Sequence, residues 1–68
     1  MTPQRRLSAV LKELREARGI KQGDLAKRAG VTQGYIAQLE SGLKKNPSLP
    51  VLHRLAKALK VKVGRLLE

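Results

Sequence analysis

The chain has 68 residues and a formal net charge of +10, from 15 Lys and Arg against 5 Asp and Glu. This length predicts a single small domain, residues 1–68, with a thin core, and no apolar run approaches the ~18–20 residues of a membrane span. The sequence contains no cysteine, which excludes a disulfide framework and a thiolate site and fits a cytoplasmic location.

The excess of positive charge indicates an anionic partner, because a small domain does not need so much charge for solubility. Nucleic acid, an anionic membrane surface and an acidic protein all fit this charge. Proteins that bind single strands rely on aromatic side chains for base stacking, and Tyr35 is the only aromatic residue in the sequence. The composition therefore favours duplex DNA, and it disfavours a membrane, which aromatic anchors would help to bind.

The first helix is predicted over residues 3–18 and ends before Gly19. Thr2 is suited to cap this helix, and Pro3 is suited to its first position, where a missing N–H costs nothing. Apolar residues three and four apart form the stripe of an amphipathic helix: Leu7, Val10, Leu11, Leu14 and Ala17.

Two short helices joined by a tight turn are predicted next. The helix over 22–29 carries one apolar stripe: Leu25, Ala26 and Ala29. Gly30 ends it, because a helix end needs a residue that adopts positive φ without strain. Thr32 is suited to cap the next helix, 33–40, through its hydroxyl. Two helices across such a turn, about 22–41, are typical of a helix-turn-helix, although any helical hairpin in a small bundle has the same pattern.

The remainder of the chain continues as helix. Ser48 is suited to cap a fourth helix over 49–60, and a last short helix is predicted over 63–67. The apolar face of the fourth helix comprises Leu52, Leu55, Ala56 and Leu59. Since no stretch alternates as a strand does, the predicted fold is all-α, a compact bundle of five short helices.

The third helix has an outward face without charge. A helical wheel places Ile36 and Leu39 on the inward side. The outward side then carries amides and small groups: Gln33, Gly34, Ala37, Gln38 and Ser41. Glutamine can bond to adenine N6 and N7, and an alanine methyl can contact a thymine methyl. The pattern predicts that Gln33, Gly34, Ala37 and Gln38 contact bases in the major groove.

Phosphate contacts are expected from residues that flank this helix. Lys44, Lys45 and Asn46 lie in the loop that follows it. The hydroxyl of Tyr35 is a further candidate, unless its ring only fills the edge of the core, and so is the hydroxyl of Thr32.

Residues spread from 11 to 67 resemble the Cro/lambda-repressor-type helix-turn-helix family, also called the XRE family. The resemblance rests on Leu14-Arg15, Arg18-Gly19, Gln22, Leu25-Ala26, Ala29-Gly30-Val31-Thr32, Tyr35-Ile36, Leu39-Glu40, Gly42, Pro47-Ser48 and Leu55-Ala56. It implies that helix 33–40 is the recognition helix, that Gln22 meets the DNA backbone, and that Arg15 and Glu40 form a structural salt bridge.

The resemblance also implies a homodimer on DNA. Candidate interface residues are the apolar ones near the C-terminus and in the preceding loop and helix: Leu43, Val51, Val63, Leu66 and Leu67. Simple use of these residues in the core is the equally open alternative.

Three features depart from the family pattern. Lys21 lies where Ser or Thr often caps the second helix, and Lys60 lies where Gly often ends the fourth. The loop from Gly42 to Pro47 is one residue longer than a common form, which puts Lys44 and Lys45 in question as phosphate contacts.

No catalytic constellation, cofactor site or small-molecule site is predicted, and His53 has no partner at metal-ligand spacing. The predicted function is a sequence-specific, duplex-DNA-binding transcriptional regulator, a repressor, and not an enzyme. The alternative is a protein-interaction module such as an antitoxin, with DNA binding as a secondary property.

Overall fold

The computed structural model describes residues 3–44 and 46–67, with the side chains of residues 7–44 and 46–67. Five α-helices follow one another: α1 (Pro3–Ala17), α2 (Gln22–Ala29), α3 (Gln33–Ser41), α4 (Leu49–Ala58) and α5 (Val63–Leu67). The predicted all-α bundle of five helices is confirmed. The predicted cap at Thr2 and the predicted phosphate contact at Lys45 lie outside the described residues.

The core is built from the predicted apolar stripes of all five helices. Its buried members are Leu7, Leu11, Leu25, Ala26, Ala29, Ile36, Leu39, Leu52, Leu55, Ala56, Leu59 and Leu66. Val10 and Leu14 are partly buried against this core. Ala17 is exposed, so the stripe of α1 ends one turn earlier than its spacing suggests.

The helix pairs position α3 at one side of the bundle. α3 packs against α1 and α2, α2 also packs against α4, and α5 packs against α1 and α4. The inner face of α3 is thus covered by two helices, while its opposite face lies at the surface.

Two helices end earlier than predicted. α1 stops at Ala17 and α4 at Ala58. Lys60 has φ of +59°, in the left-handed region, where a side chain is strained. This conformation gives a physical reason for the glycine that the family resemblance implies at this position, and for the end of α4 before residue 60.

None of the helices that the structure describes combines the length and apolar character needed to cross a membrane.

Candidate nucleic-acid interface

The turn between α2 and α3 is held by backbone hydrogen bonds and one side chain. Gly30 adopts φ of +72°, and the backbone N–H of Val31 donates to the carbonyl of Ala26 at 2.9 Å. The Thr32 hydroxyl accepts from the backbone N–H of Tyr35 at 3.1 Å, which confirms the predicted cap. The direction in which α3 leaves the turn is therefore fixed at its first residue.

The outward row of α3 lies at the surface as its wheel predicts, with one difference. Gln33 and Gly34 are exposed, whereas Ile36 and Leu39 on the other side are buried. Ala37 and Gln38 are half-buried. The chain after α3 turns back here, since the backbone N–H of Lys44 donates to the carbonyl of Gln38 at 3.0 Å. The row is therefore open at its start and at Ser41, and it is partly covered at Ala37 and Gln38.

A buried carboxylate ties α3 to the two preceding helices. Glu40 Oε2 lies 2.6 Å from Arg15 Nε, and Glu40 Oε1 lies 3.1 Å from Arg15 Nη2, so the ion pair is bidentate. The two side chains are 12% and 4% exposed. Arg15 Nη1 also donates to the carbonyl of Ile20 at 2.8 Å, next to the start of α2. This is the pair that the family resemblance implies.

The hydrogen bond to Glu40 raises the pKa of the Arg15 guanidinium above its ordinary value, although its partial burial acts in the opposite direction. Arg15 is therefore charged at every physiological pH, and the attachment of α3 does not switch with pH through this residue.

Gln22 has a partner within the protein that the sequence did not predict. Its side-chain amide Nε2 donates to Glu40 Oε1 at 3.1 Å, and its side chain is half-buried. This bond uses one of the two N–H donors of the amide, so the contact of Gln22 with the DNA backbone stays a prediction. The second N–H of this amide and the backbone N–H groups of the first turn of α2, which a helix leaves without internal partners, remain candidate donors to an anion.

The loop after α3 places one cation beside the helix. Lys44 is exposed, and its Nζ lies 5.6 Å from the centroid of the half-buried Tyr35 ring, a cation–π distance. Tyr35 packs against the core, so the position of the ring that faces the Lys44 Nζ is fixed by the bundle. Asn46 is exposed in the same loop.

Two contacts between helices were not predicted from the sequence. A Cβ built on Gly23 would lie 3.3 Å from Gln33 Oε1, so the start of α2 touches the side chain at the start of α3. Arg54 Nη1 donates to the carbonyl of Ala29 at 3.4 Å and joins α4 to the end of α2. A glycine inside a predicted helix was the only signal for the first contact, and no signal existed for the second.

The candidate dimer residues divide between surface and core. Leu43 is 74% exposed and Leu67 is 59% exposed. Leu66 is 2% exposed and belongs to the core, so its prediction as an interface residue was wrong: α5 turns this side chain towards α1 and α4. Val51 and Val63 are half-buried and pack against the core. Leu49, which the sequence reasoning left out, is 60% exposed.

Among the described residues, no group of three His, Cys, Asp or Glu side chains could hold a metal ion. His53 is exposed on α4.

Comparison with known proteins places the chain among relatives of the same fold. The sequence pattern of the helix-turn-helix family matches residues 11–66. The HTH-type transcriptional regulator SinR of Bacillus subtilis is 34% identical over 58 residues, which are 85% of this chain and 52% of SinR. The chain therefore spans about half the length of this curated relative.

Two solved structures resemble the whole bundle. The restriction-modification controller protein C.AhdI from Aeromonas hydrophila superposes with a TM-score of 0.87 and 33% identity, over 93% of this chain and 94% of that one. SinR in complex with DNA superposes with a TM-score of 0.86 and 32% identity, over 91% and 98% of the two chains. On the family match and these likenesses together, the chain belongs to the helix-turn-helix family of the XRE type.

Proposed function

We propose that this chain is a sequence-specific, duplex-DNA-binding regulator of transcription that acts as a repressor and reads the major groove with α3. The observation that supports the proposal most strongly is the exposed start of α3, where Gln33 and Gly34 present no charge in a chain of net charge +10. Base edges offer donors, acceptors and methyl groups, and a neutral row of amides and small groups complements them.

Within this proposal the residues of α3 have separate roles. The Gln33 amide, at the open end of the row, forms the main base contact, and the Gln38 amide reads a neighbouring position. Gly34 allows the helix backbone to approach the base edges closely, and the methyl of Ala37 contacts a thymine methyl. The inner face of α3 takes no part, because Ile36 and Leu39 are buried.

Phosphate contacts come from the rim of this face and position the helix in the groove. Lys44 is the best supported, because it is exposed and its Nζ lies 5.6 Å from the centroid of the Tyr35 ring on α3. The exposed Asn46 and the Thr32 and Tyr35 hydroxyls add donors on either side of α3. Lys45 remains a prediction from its place in the loop.

The similar proteins support the same class of partner. SinR is named a transcriptional regulator, and its superposed structure is a complex with DNA. C.AhdI is named a controller protein. Neither an enzymatic activity nor a cofactor is part of the proposal, and the proposed location is the cytoplasm.

A homodimer is the proposed active form. One recognition helix reads only a few base pairs, and two of them placed roughly 34 Å apart read two half-sites in successive major grooves. Three leucines supply exposed apolar surface for such an interface among the described residues: Leu43, Leu49 and Leu67.

Selection of bound duplexes from a random pool tests the proposal. The intact protein should enrich one sequence, and its affinity should fall steeply with salt, because each neutralised phosphate releases counterions. The Gln33→Ala variant should lose the preference at one position of each half-site. His53→Ala, which removes an exposed side chain from α4, is the matched control and should leave the selected sequence unchanged. Binding without sequence preference, or with a flat salt response, would contradict the proposal.

A further inference from the structure

The first turn of α2 lies directly against the first residue of α3. A Cβ at Gly23 would lie 3.3 Å from Gln33 Oε1 and 3.8 Å from Gln33 Cδ. The shorter distance is closer than ordinary van der Waals contact, so a side chain at this position would push the Gln33 amide away. The space beside the Gly23 backbone is thus already occupied by that amide.

Backbone conformation does not account for a glycine at this position. Gly23 is the second residue of α2, and its φ does not lie in the positive region that Gly19, Gly30 and Gly42 occupy. Glycine inside a helix is less stable than alanine, because it loses more conformational freedom on folding. A helical glycine without positive φ is explained here by the space that it leaves for its neighbour.

The neighbours of Gly23 on α2 leave its backbone as the part of α2 that lies nearest the Gln33 amide. α2 packs against α3, and Ala26, three residues further along α2, is buried. The side chain of Gln22 is occupied with Glu40. Gln33 is exposed, so its amide lies where it does only as long as position 23 carries no side chain that would displace it.

We infer that Gly23 is a positioning residue that determines specificity by holding the Gln33 amide in the orientation needed to read a base. The inference rests on the proposed function, since it concerns the same recognition helix. A bidentate contact with adenine requires the carbonyl oxygen and the amide nitrogen to lie in the plane of the base, so a displaced or rotated amide loses discrimination before it loses general affinity. Gly23 reaches the base only through Gln33.

Gly23→Ala tests the inference because stability and specificity should change in opposite directions. Alanine should raise the melting temperature, because it loses less conformational freedom on folding than glycine and the exposed Gln33 amide can move aside at little cost. Discrimination between the selected base and its alternatives at the Gln33 position should fall by about 3- to 10-fold, part of what one bidentate pair provides. Binding of competing duplexes to the purified full chain, measured by fluorescence anisotropy, reports both affinities.

Gly64→Ala is the matched control, because Gly64 is also a helical glycine and a Cβ built there meets nothing within 4 Å. It should raise stability without any change in base preference. In a Gln33→Ala background, Gly23→Ala should have no further effect on preference, since no amide remains to be displaced.

The outcomes separate this inference from the proposed function. If Gln33→Ala changes the preference and Gly23→Ala does not, the inference is overturned and the proposed function stands. Uniform weakening on all duplexes by Gly23→Ala also overturns it, because that result indicates a backbone contact to phosphate. If Gln33→Ala leaves the preference intact, the proposed reading by Gln33 fails, and the inference fails with it.

Discussion

At the scale of single residues, the clearest local strain lies at Lys60. Its φ of +59° is in the left-handed region, which an L side chain adopts at a cost of about 1–2 kcal/mol. The family resemblance marks this position as one where glycine often ends the helix, and the structure gives the physical reason.

Lys60→Gly should therefore stabilise the protein. Relief of the strain exceeds the entropy that glycine loses on folding, and we expect the free energy of unfolding to rise by about 0.5–1 kcal/mol in urea titrations. Lys57→Gly, in the regular part of α4, removes the same charge and should instead lower it by about 1 kcal/mol. Equal losses in both variants would show that the strain at Lys60 is not released by glycine.

At the scale of elements, the orientation of α3 depends on its cap. The Thr32 hydroxyl accepts from the Tyr35 N–H at 3.1 Å, and Ser48 makes the equivalent contact with the Val51 N–H at 3.3 Å at the start of α4. The two caps are chemically alike, but only the first lies at the face proposed to read DNA.

Thr32→Ala and Ser48→Ala form a matched pair of variants. Each should lower the free energy of unfolding by about 1 kcal/mol, because one helix N–H loses its partner. Only Thr32→Ala should also weaken binding to the selected duplex, since it loosens the first turn of α3 and removes a hydroxyl from the phosphate rim. If the two variants bound the duplex equally well, the cap of α3 would have no role in DNA recognition.

The second device at this scale is the ion pair that joins α1 and α3. Breaking a buried pair leaves the other charge without its partner, so Arg15→Met and Glu40→Gln should each destabilise the fold by about 2 kcal/mol or more. The double variant should lose less than the sum of the two, with a coupling energy of about 1 kcal/mol or more in a double-mutant cycle. Purely additive losses would show that the two charges act independently.

Helix positions were predictable because they depend on local spacing. The stripes and the caps at Thr32 and Ser48 follow from residues within one or two turns of each other. The pairing of Arg15 with Glu40 came from the family resemblance. The partner of Gln22 did not follow from any pattern, because its amide can reach a phosphate or Glu40 equally well, and the choice depends on how three helices meet.

At the scale of the whole molecule, the packing of the helices also determines which apolar residues are left exposed to a partner, and the sequence alone does not show this packing. An apolar stripe indicates burial without indicating what covers it, so Leu66 and Leu67 were equivalent in sequence. The packing of α5 on α1 and α4 separates them, with Leu66 at 2% and Leu67 at 59% exposure. The contact between Gly23 and Gln33 was equally hidden, because it joins the starts of two helices.

The proposed homodimer predicts a concentration-dependent mass. Sedimentation velocity at micromolar concentration should show a dimer, and Leu43→Ser or Leu67→Ser should shift it towards monomer, since each removes exposed apolar surface. At concentrations low enough for the intact protein to be monomeric, the melting temperature should change little, because both side chains are largely exposed in the single chain. A protein that stays monomeric with and without DNA would contradict the proposed binding of a dimer to two half-sites.

Contact between the start of α3 and the bases is the central element of the proposed function. Mapping of backbone amide chemical shifts by NMR, during titration with the selected duplex, tests this contact most directly. We expect the largest changes at Gln33, Gly34 and Gln38, with smaller ones at the Lys44 rim and almost none from Lys57 to Arg65. Large changes along α4 and α5 with an unperturbed α3 would contradict the account.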